Sequence, residues 1–214
     1  MTIAEDKSIV IATTNAGKAR EFSHKFRSIG IQIRSLADYP QIAPIVEDGV
    51  TFMENAEIKA RAVADHLNVP TIADDSGLRV DMLGGEPGVY SARYAGMHAT
   101  DADNVTKLLQ QLANCSANFQ PPDIPLPAGV HLLSQAEFVC ALVYIDPHTE
   151  IVHRVEGNCP GYIIDSPRGS NGFGYDPVFY LPQFGKTMAE LTIEEKQSIS
   201  HRGNALELLI QLLQ

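Results

Sequence analysis

Five short stretches of this chain hold residue types that could do chemistry. The first is Thr13-Thr14-Asn15-Ala16-Gly17-Lys18, where an apolar β-branched run empties into a glycine-containing break and then a helix-like segment. Backbone N–H groups at such a helix start, reinforced by the helix dipole, suit an anion. Lys18 and Arg20 sit where positive charge opposes that dipole, a placement an anion would explain. The spacing is not that of a P-loop, and an ordinary strand-to-helix turn is the alternative. The second stretch is Glu47, followed by a helical segment with Asn55 and Lys59 four residues apart and so on one face. The plainer reading is a solvated helix face.

The third is Ala73-Asp74-Asp75-Ser76-Gly77. Two adjacent acids closing an apolar strand are costly unless paired, hydrogen-bonded or metal-bound. Strand ends of this kind bind ligands in open α/β sheets. A metal ligand or general base is one reading, and a turn capped by an aspartate is the other. The fourth is Gly169-Ser-Asn-Gly-Phe-Gly-Tyr-Asp-Pro177, where three glycines allow close approach, Phe173 offers a flat face for a planar ligand, and Asp176 could bond a base edge. Phe173 packed into the core is the alternative. The fifth is Ser200-His201-Arg202-Gly203, polar residues and a mid-helix glycine ahead of an apolar run. The other six histidines form no metal-spaced pair.

The elements that must position these residues follow from pattern. Ser8 to Thr14 reads as a buried strand, Lys18 to Ser28 as a helix with Phe22, Phe26 and Ile29 on one face, and Ile31 to Leu36 as a second strand. This β-loop-α-β opening marks an α/β domain. Thr51 to Leu67 is predicted helical, and Thr71 to Ala73 enters a strand that turns at Asp74–Gly77. A helix is expected over Asp101 to Leu112 with Asp101 as its N-cap. Residues 114–135, with Pro121, Pro122, Pro125 and Pro127, read as an excursion or flexible hairpin rather than a domain linker. Phe138 to Ile145 and Ile151 to Glu156 read as a hairpin, with a further short strand near Val178 to Tyr180. Thr192-Ile-Glu-Glu195 is a capping box opening one last helix to about Leu213.

Composition bounds the function. The 214 residues carry a formal charge of −10. Polyanion binding needs clustered Lys and Arg, so nucleic acid is not an expected partner, nor is an anionic membrane surface. A small anion remains possible if a divalent metal bridges it to acidic side chains. No apolar run reaches the ~18 residues of a membrane helix, and Ile9 to Ala12 is too short for a signal-peptide core. Cys115, Cys140 and Cys159 are odd in number and widely spaced, which fits a reducing, cytoplasmic setting better than a disulfide framework.

In order and together, these segments resemble the inosine triphosphate pyrophosphatase family, also called dITP/XTP pyrophosphatases. The matching stretches are Ala12 to Glu21, Thr51 to Ala62, Ile72 to Gly96, Gly172 to Phe179 and Gly185 to Gly203, including Ile-Ala-Asp-Asp-Ser-Gly, Tyr-Ser-Ala-Arg-Tyr and Ser-His-Arg-Gly. The resemblance implies an α/β fold, a mixed twisted sheet with flanking helices and two lobes around a central cleft, in a single domain that is usually a homodimer. It implies Mg²⁺-dependent hydrolysis of ITP, dITP or XTP to monophosphate and pyrophosphate, which would cleanse the nucleotide pool. Carried over by position, Thr13, Thr14, Asn15, Ala16, Gly17 and Lys18 would hold the triphosphate, with Asn55 and Lys59 reaching it from the second helix. Glu47 and Asp75 would bind Mg²⁺, and Asp75 would also act as base, with Lys18 and Lys59 offsetting charge. Ser76 would contact substrate. Phe173 would stack on the base within Phe173, Gly174, Tyr175 and Asp176, and Lys186, His201 and Arg202 would read its edge. The sequence departs from the family in the Pro-rich 114–135 segment and in Glu137, which replaces an arginine. Two rival readings use the same residues: a nucleotide sensor without catalysis, and a two-carboxylate glycosidase built on Asp75 and Glu47.

Overall fold

A computed structural model describes residues 8–115 and 118–214. The acidic start, Met1 to Lys7, and residues 116–117 of the Pro-rich segment lie outside that range. Seven strands form one sheet: β1 (Ser8–Ile11), β2 (Gln32–Ser35), β3 (Thr71–Val80), β4 (Leu132–Asp146), β5 (Ile151–Ile164), β6 (Phe179–Leu181) and β7 (Lys186–Thr187). Their order is β2-β1-β3-β4-β5-β6-β7. β1 pairs in parallel with both β2 and β3, whereas β5–β6 and β6–β7 are antiparallel, so the sheet is mixed. The helices are α1 (Ala16–Arg27), α2 (Phe52–Leu67), α3 (Asp101–Cys115), α4 (Ile193–Ile199) and α5 (His201–Leu213). This is the α/β class expected from sequence.

The chain divides into two compact units, each drawn from several segments. The first comprises residues 1–75, 140–157 and 204–214, the second residues 76–139 and 158–203. In the first unit β1 is buried throughout its apolar length, and Phe22 and Phe26 of α1, one turn apart, stack at 6.3 Å and are fully enclosed. They share a core with Ile9, Ile11, Ile72, Leu142 and Leu209. In the second unit Leu108 and Leu112 of α3 pack with Leu78, Val80, Phe138 and Phe179. Residues Phe119, Ile124 and Leu126 of the Pro-rich stretch pack against Val130, Leu132, Ile164 and Tyr180. Its apolar side chains thus dock on the second unit despite the prolines.

Four expectations are corrected. Asp74–Gly77 is not a turn: β3 runs unbroken from Thr71 to Val80, because the Asp74 and Asp75 carboxylates find partners and the ladder need not stop. The hairpin strands are much longer than predicted; β4 begins at Leu132 and β5 continues to Ile164. The last helix is two. Ser200 adopts an extended conformation (φ −71°, ψ 155°) that ends α4, and its hydroxyl accepts the Gly203 amide at the start of α5. Finally, Asp101 is not the cap of α3. Thr100 is, since its carbonyl accepts from Asn104 N and its hydroxyl from Asp103 N, while the Asp103 carboxylate accepts from Thr100 N.

Candidate active site

In the first unit, β1 delivers the chain to Asn15, whose extended backbone caps α1. Its Oδ1 accepts the amides of Gly17 (2.8 Å) and Lys18 (3.1 Å), and Thr13 Oγ1 accepts the Asn15 amide. The turn is therefore a self-capped helix start. An anion reaching it would compete with Asn15 for two of its N–H groups. Thr14, Asn15 and Ala16 are exposed there. Lys18, one turn into α1, bonds the Asp74 carboxylate and lies 3.4 Å from the Asp74 carbonyl. The other Asp74 oxygen accepts from the Cys140 thiol.

α2 organises the second cation. Thr51 and Glu54 form a reciprocal capping box, which fixes the helix start. Asn55 is buried, and its Oδ1 takes the Gly49 amide at 2.9 Å, so it ties down the loop that carries Glu47. One turn on, the buried Lys59 ammonium bridges Glu47 Oε2 (2.6 Å) and Asp75 Oδ1 (3.1 Å). Burial alone would lower the Lys59 pKa; Asp75 and Glu47 more than offset that and hold it above its ordinary value. Asp75 is pushed up from the usual carboxylate range by burial first and by Glu47 in part, against the pull of Lys59 and Lys18. Its Oδ2 is buried and has no hydrogen-bond partner among the described residues.

That orphaned oxygen is the test of whether the residues suit a cation. A buried carboxylate oxygen without a donor is costly, and a hard divalent ion satisfies it. No group of three or more His, Cys, Asp and Glu side chains fit to hold a metal occurs among the described residues. Mg²⁺ does not need one: it takes one or two carboxylates and fills its octahedron with waters and substrate phosphates. Asp75 and Glu47, brought to one ammonium, meet that requirement.

The second unit starts at Ser76, the residue after Asp75. Ser76 Oγ accepts from the guanidinium of Arg202 at 2.9 Å, and Arg202 is the largest fully buried side chain described. Phe173 is partly exposed, with the Lys196 ammonium 4.9 Å and the Arg202 guanidinium 5.7 Å from its ring centre. Asp176 is buried, and its Oδ2 accepts both the Phe173 amide (2.9 Å) and Lys196 (2.7 Å). Gly172 stands at φ +80°, and a Cβ there would lie 2.0 Å from that same carboxylate oxygen, so only glycine admits the arrangement. Tyr175 is buried and donates its hydroxyl to the Ser91 carbonyl at 2.8 Å. His201 stacks on Phe138 at 4.8 Å.

The sequence candidates thus fall into two groups. Lys18, Asn55, Lys59, Glu47 and Asp75 gather in the first unit around two consecutive carboxylates; Ser76, Phe173, Asp176 and Arg202 gather in the second. Lys186 is half-exposed and pairs with Glu195 at 3.5 Å, with no contact to Phe173 described. The cation at that ring is instead Lys196, which sequence reasoning missed. It precedes Ser200 by four residues, one turn of α4, and its buried pairing with Asp176 supplied no local signal.

Comparison with known proteins gives the family and the fold. The Ham1 family profile matches residues 9–212. The dITP/XTP pyrophosphatase of Geobacillus kaustophilus is 51% identical over 200 residues, covering 94% of this chain and 91% of that protein. That of Halalkalibacterium halodurans is 46% identical over 203 residues, covering 95% and 97%. Among solved structures, the Staphylococcus aureus Ham1 protein superposes with a TM-score of 0.79 at 42% identity, covering 97% of this chain and 98% of that one. A Coxiella burnetii HAM1 protein gives 0.81 at 38% identity, covering 96% and 98%. With nearly the whole length matched in sequence and in fold, this chain belongs to the Ham1 family.

Proposed function

We propose that this chain is a hydrolase of abnormal purine nucleoside triphosphates, converting dITP, XTP and ITP to the monophosphate and pyrophosphate. The curated relatives' activity supports the substrate class. The observation that carries the chemistry is the pair of consecutive carboxylates, Asp74 and Asp75, each bonded by a different lysine, with one buried Asp75 oxygen left open.

The first unit serves the phosphates. Thr13 to Lys18 take phosphate oxygens, and Lys18 and Lys59 offset the charge that builds up as the bond breaks. Water attacks the α-phosphorus, the bond from that phosphorus to the α–β bridging oxygen breaks, and pyrophosphate leaves. The attacking water's proton passes to Asp75. A carboxylate raised by burial is a stronger base than an exposed one. Asp75 and Glu47 would hold Mg²⁺. When bound, the ion supplies Lewis-acid polarisation of phosphate oxygens and lowers the pKa of its water.

The second unit serves the base. Phe173 stacks on it, and Ser76, Gly174, Tyr175, Asp176, Lys186, His201 and Arg202 complete its surroundings. Lys196 joins this set through its place at the Phe173 ring. Lysine and arginine donate hydrogen bonds and cannot accept them. A rim with Lys196 and Arg202 beside the stacking ring therefore suits a 6-oxo purine. Adenine's 6-amino group would set a donor against these donors, which is the costly mismatch. The partner is a small nucleotide; a homodimer and a cytoplasmic setting complete the reading. No helix among the described residues is long and apolar enough to cross a membrane.

Steady-state kinetics of Asp75→Asn test this. The expected result is loss of turnover by at least about 10³-fold, since both a metal oxygen and the base are removed, with an unchanged circular dichroism spectrum. Turnover near that of the parent would remove Asp75 from the reaction.

A further inference from the structure

Asp101 has no part in the site described above. As the first residue of α3 it looks like a helix cap, yet Thr100 and Asp103 cap that helix between them. The Asp101 carboxylate is left over, and it crosses 73 positions of sequence to accept the Gly174 amide at 2.7 Å. That amide follows the Phe173 amide, which the Asp176 carboxylate holds at 2.9 Å. Two consecutive N–H groups of the glycine-flanked turn are thus each fixed by a separate carboxylate, one within the turn and one from α3. The next side chain, Tyr175, is pinned by its hydroxyl to the Ser91 carbonyl.

The reason for the brace lies in the chain itself. Phe173 is flanked by Gly172 and Gly174, both at positive φ, which leave the turn intrinsically loose. Phe173 is only partly buried, so core packing does not hold its ring. A ring that must be ready to stack needs its backbone fixed by other means, and a charge-assisted bond to the adjacent amide does that.

We propose that Asp101 is a positioning residue for the Phe173 turn: it pre-orders the stacking ring from α3 and so lowers the KM for the base without touching substrate. The inference rests on the reading of Phe173 as the base platform, and its test separates the two. Asp101→Ala, Asp101→Asn, Thr100→Ala and Phe173→Ala are compared in full-length protein, by kinetics with dITP and XTP and by amide hydrogen exchange. Asp101→Ala is expected to raise KM about 3- to 10-fold with kcat within about twofold, the scale of losing one charge-assisted bond. Exchange at Gly174 should speed up by a similar factor. Asp101→Asn, which keeps an acceptor oxygen, should recover part of both effects. Thr100→Ala weakens the same helix end and should leave KM and Gly174 exchange as they are; a matching KM rise there would mean that helix stability, not the brace, sets KM, and would overturn the proposal. Unchanged Gly174 exchange in Asp101→Ala would overturn it too, as would unchanged KM in Asp101→Ala alongside a raised KM in Phe173→Ala. If Phe173→Ala itself leaves KM unaltered, the base-platform reading falls, and the role of Asp101 in substrate affinity falls with it.

Discussion

Lys59 bonds two carboxylates at once, and most of the chemistry of the first unit turns on that ammonium. Replacing it with methionine keeps the stem but leaves Glu47 and Asp75 as facing anions with no cation between them. The expected outcome is a fall in kcat/KM of about 10²-fold, read by initial rates, with most of it in kcat because the charge it offsets peaks in the transition state. A fall confined to KM would instead assign Lys59 to ground-state binding. Phe173 makes the opposite prediction. Stacking on a base is worth about 1–3 kcal/mol, so Phe173→Ala should raise KM by about 10-fold with little change in kcat. Part of this is legible in the residues alone: types and spacing single out the two acids, Lys59 and Phe173, and the resemblance adds Arg202. Lys196 and Asp101 were not, because each acts through a partner distant in sequence, Asp176 twenty positions away and Gly174 seventy-three. The turn at Thr13–Lys18 was legible as a helix start. That its own asparagine satisfies two of the amides needs side-chain placement that no spacing rule gives.

Elements fail prediction for physical reasons that can be named. An acidic pair signals a turn, so the pattern alone predicts that β3 stops at Asp74. Lys18, Cys140 and Lys59 supply what a turn would otherwise have supplied, and the strand runs on. The break between α4 and α5 hid inside a continuous helical pattern. It depends on Ser200 as an extended cap and on Gly203, where a Cβ would sit 2.0 Å from the Gln197 carbonyl oxygen. Gly203→Ala must therefore push the end of α4 from α5. It should cost about 1–3 kcal/mol by urea denaturation and raise KM through the adjacent Arg202. An unaffected midpoint would show that the junction is slack. Helices α1, α2 and α3, by contrast, follow from their apolar faces to within a few residues, since Phe22 and Phe26 or Leu108 and Leu112 can be buried together only on one face.

Across the whole molecule the acidic balance sets the response to pH. Glu57 of α2 holds both Arg61 and Arg154, and its pKa is drawn down from the ordinary 4.5 to about 2, chiefly by the Arg154 hydrogen bonds. A carboxylate depressed in the folded state stabilises fully above its unfolded pKa. That contribution fades as pH falls from about 4.5 toward about 2. Glu57→Gln should therefore lower the thermal midpoint at neutral pH slightly, because the pair is exposed, and flatten the acid limb of the stability profile. A parallel profile would mean that the pair contributes nothing.

One panel tests the reaction directly: Mg²⁺-dependent hydrolysis of ITP, XTP, dITP, ATP and GTP, with phosphate read with and without added inorganic pyrophosphatase. A pyrophosphate-releasing enzyme gives a phosphate signal only when the coupling enzyme is present, and the expected signal is strongest for ITP, XTP and dITP. Phosphate released directly would place cleavage at the γ-phosphoryl group, and binding of ITP without turnover would make the protein a sensor; either result contradicts hydrolysis at the α–β bond.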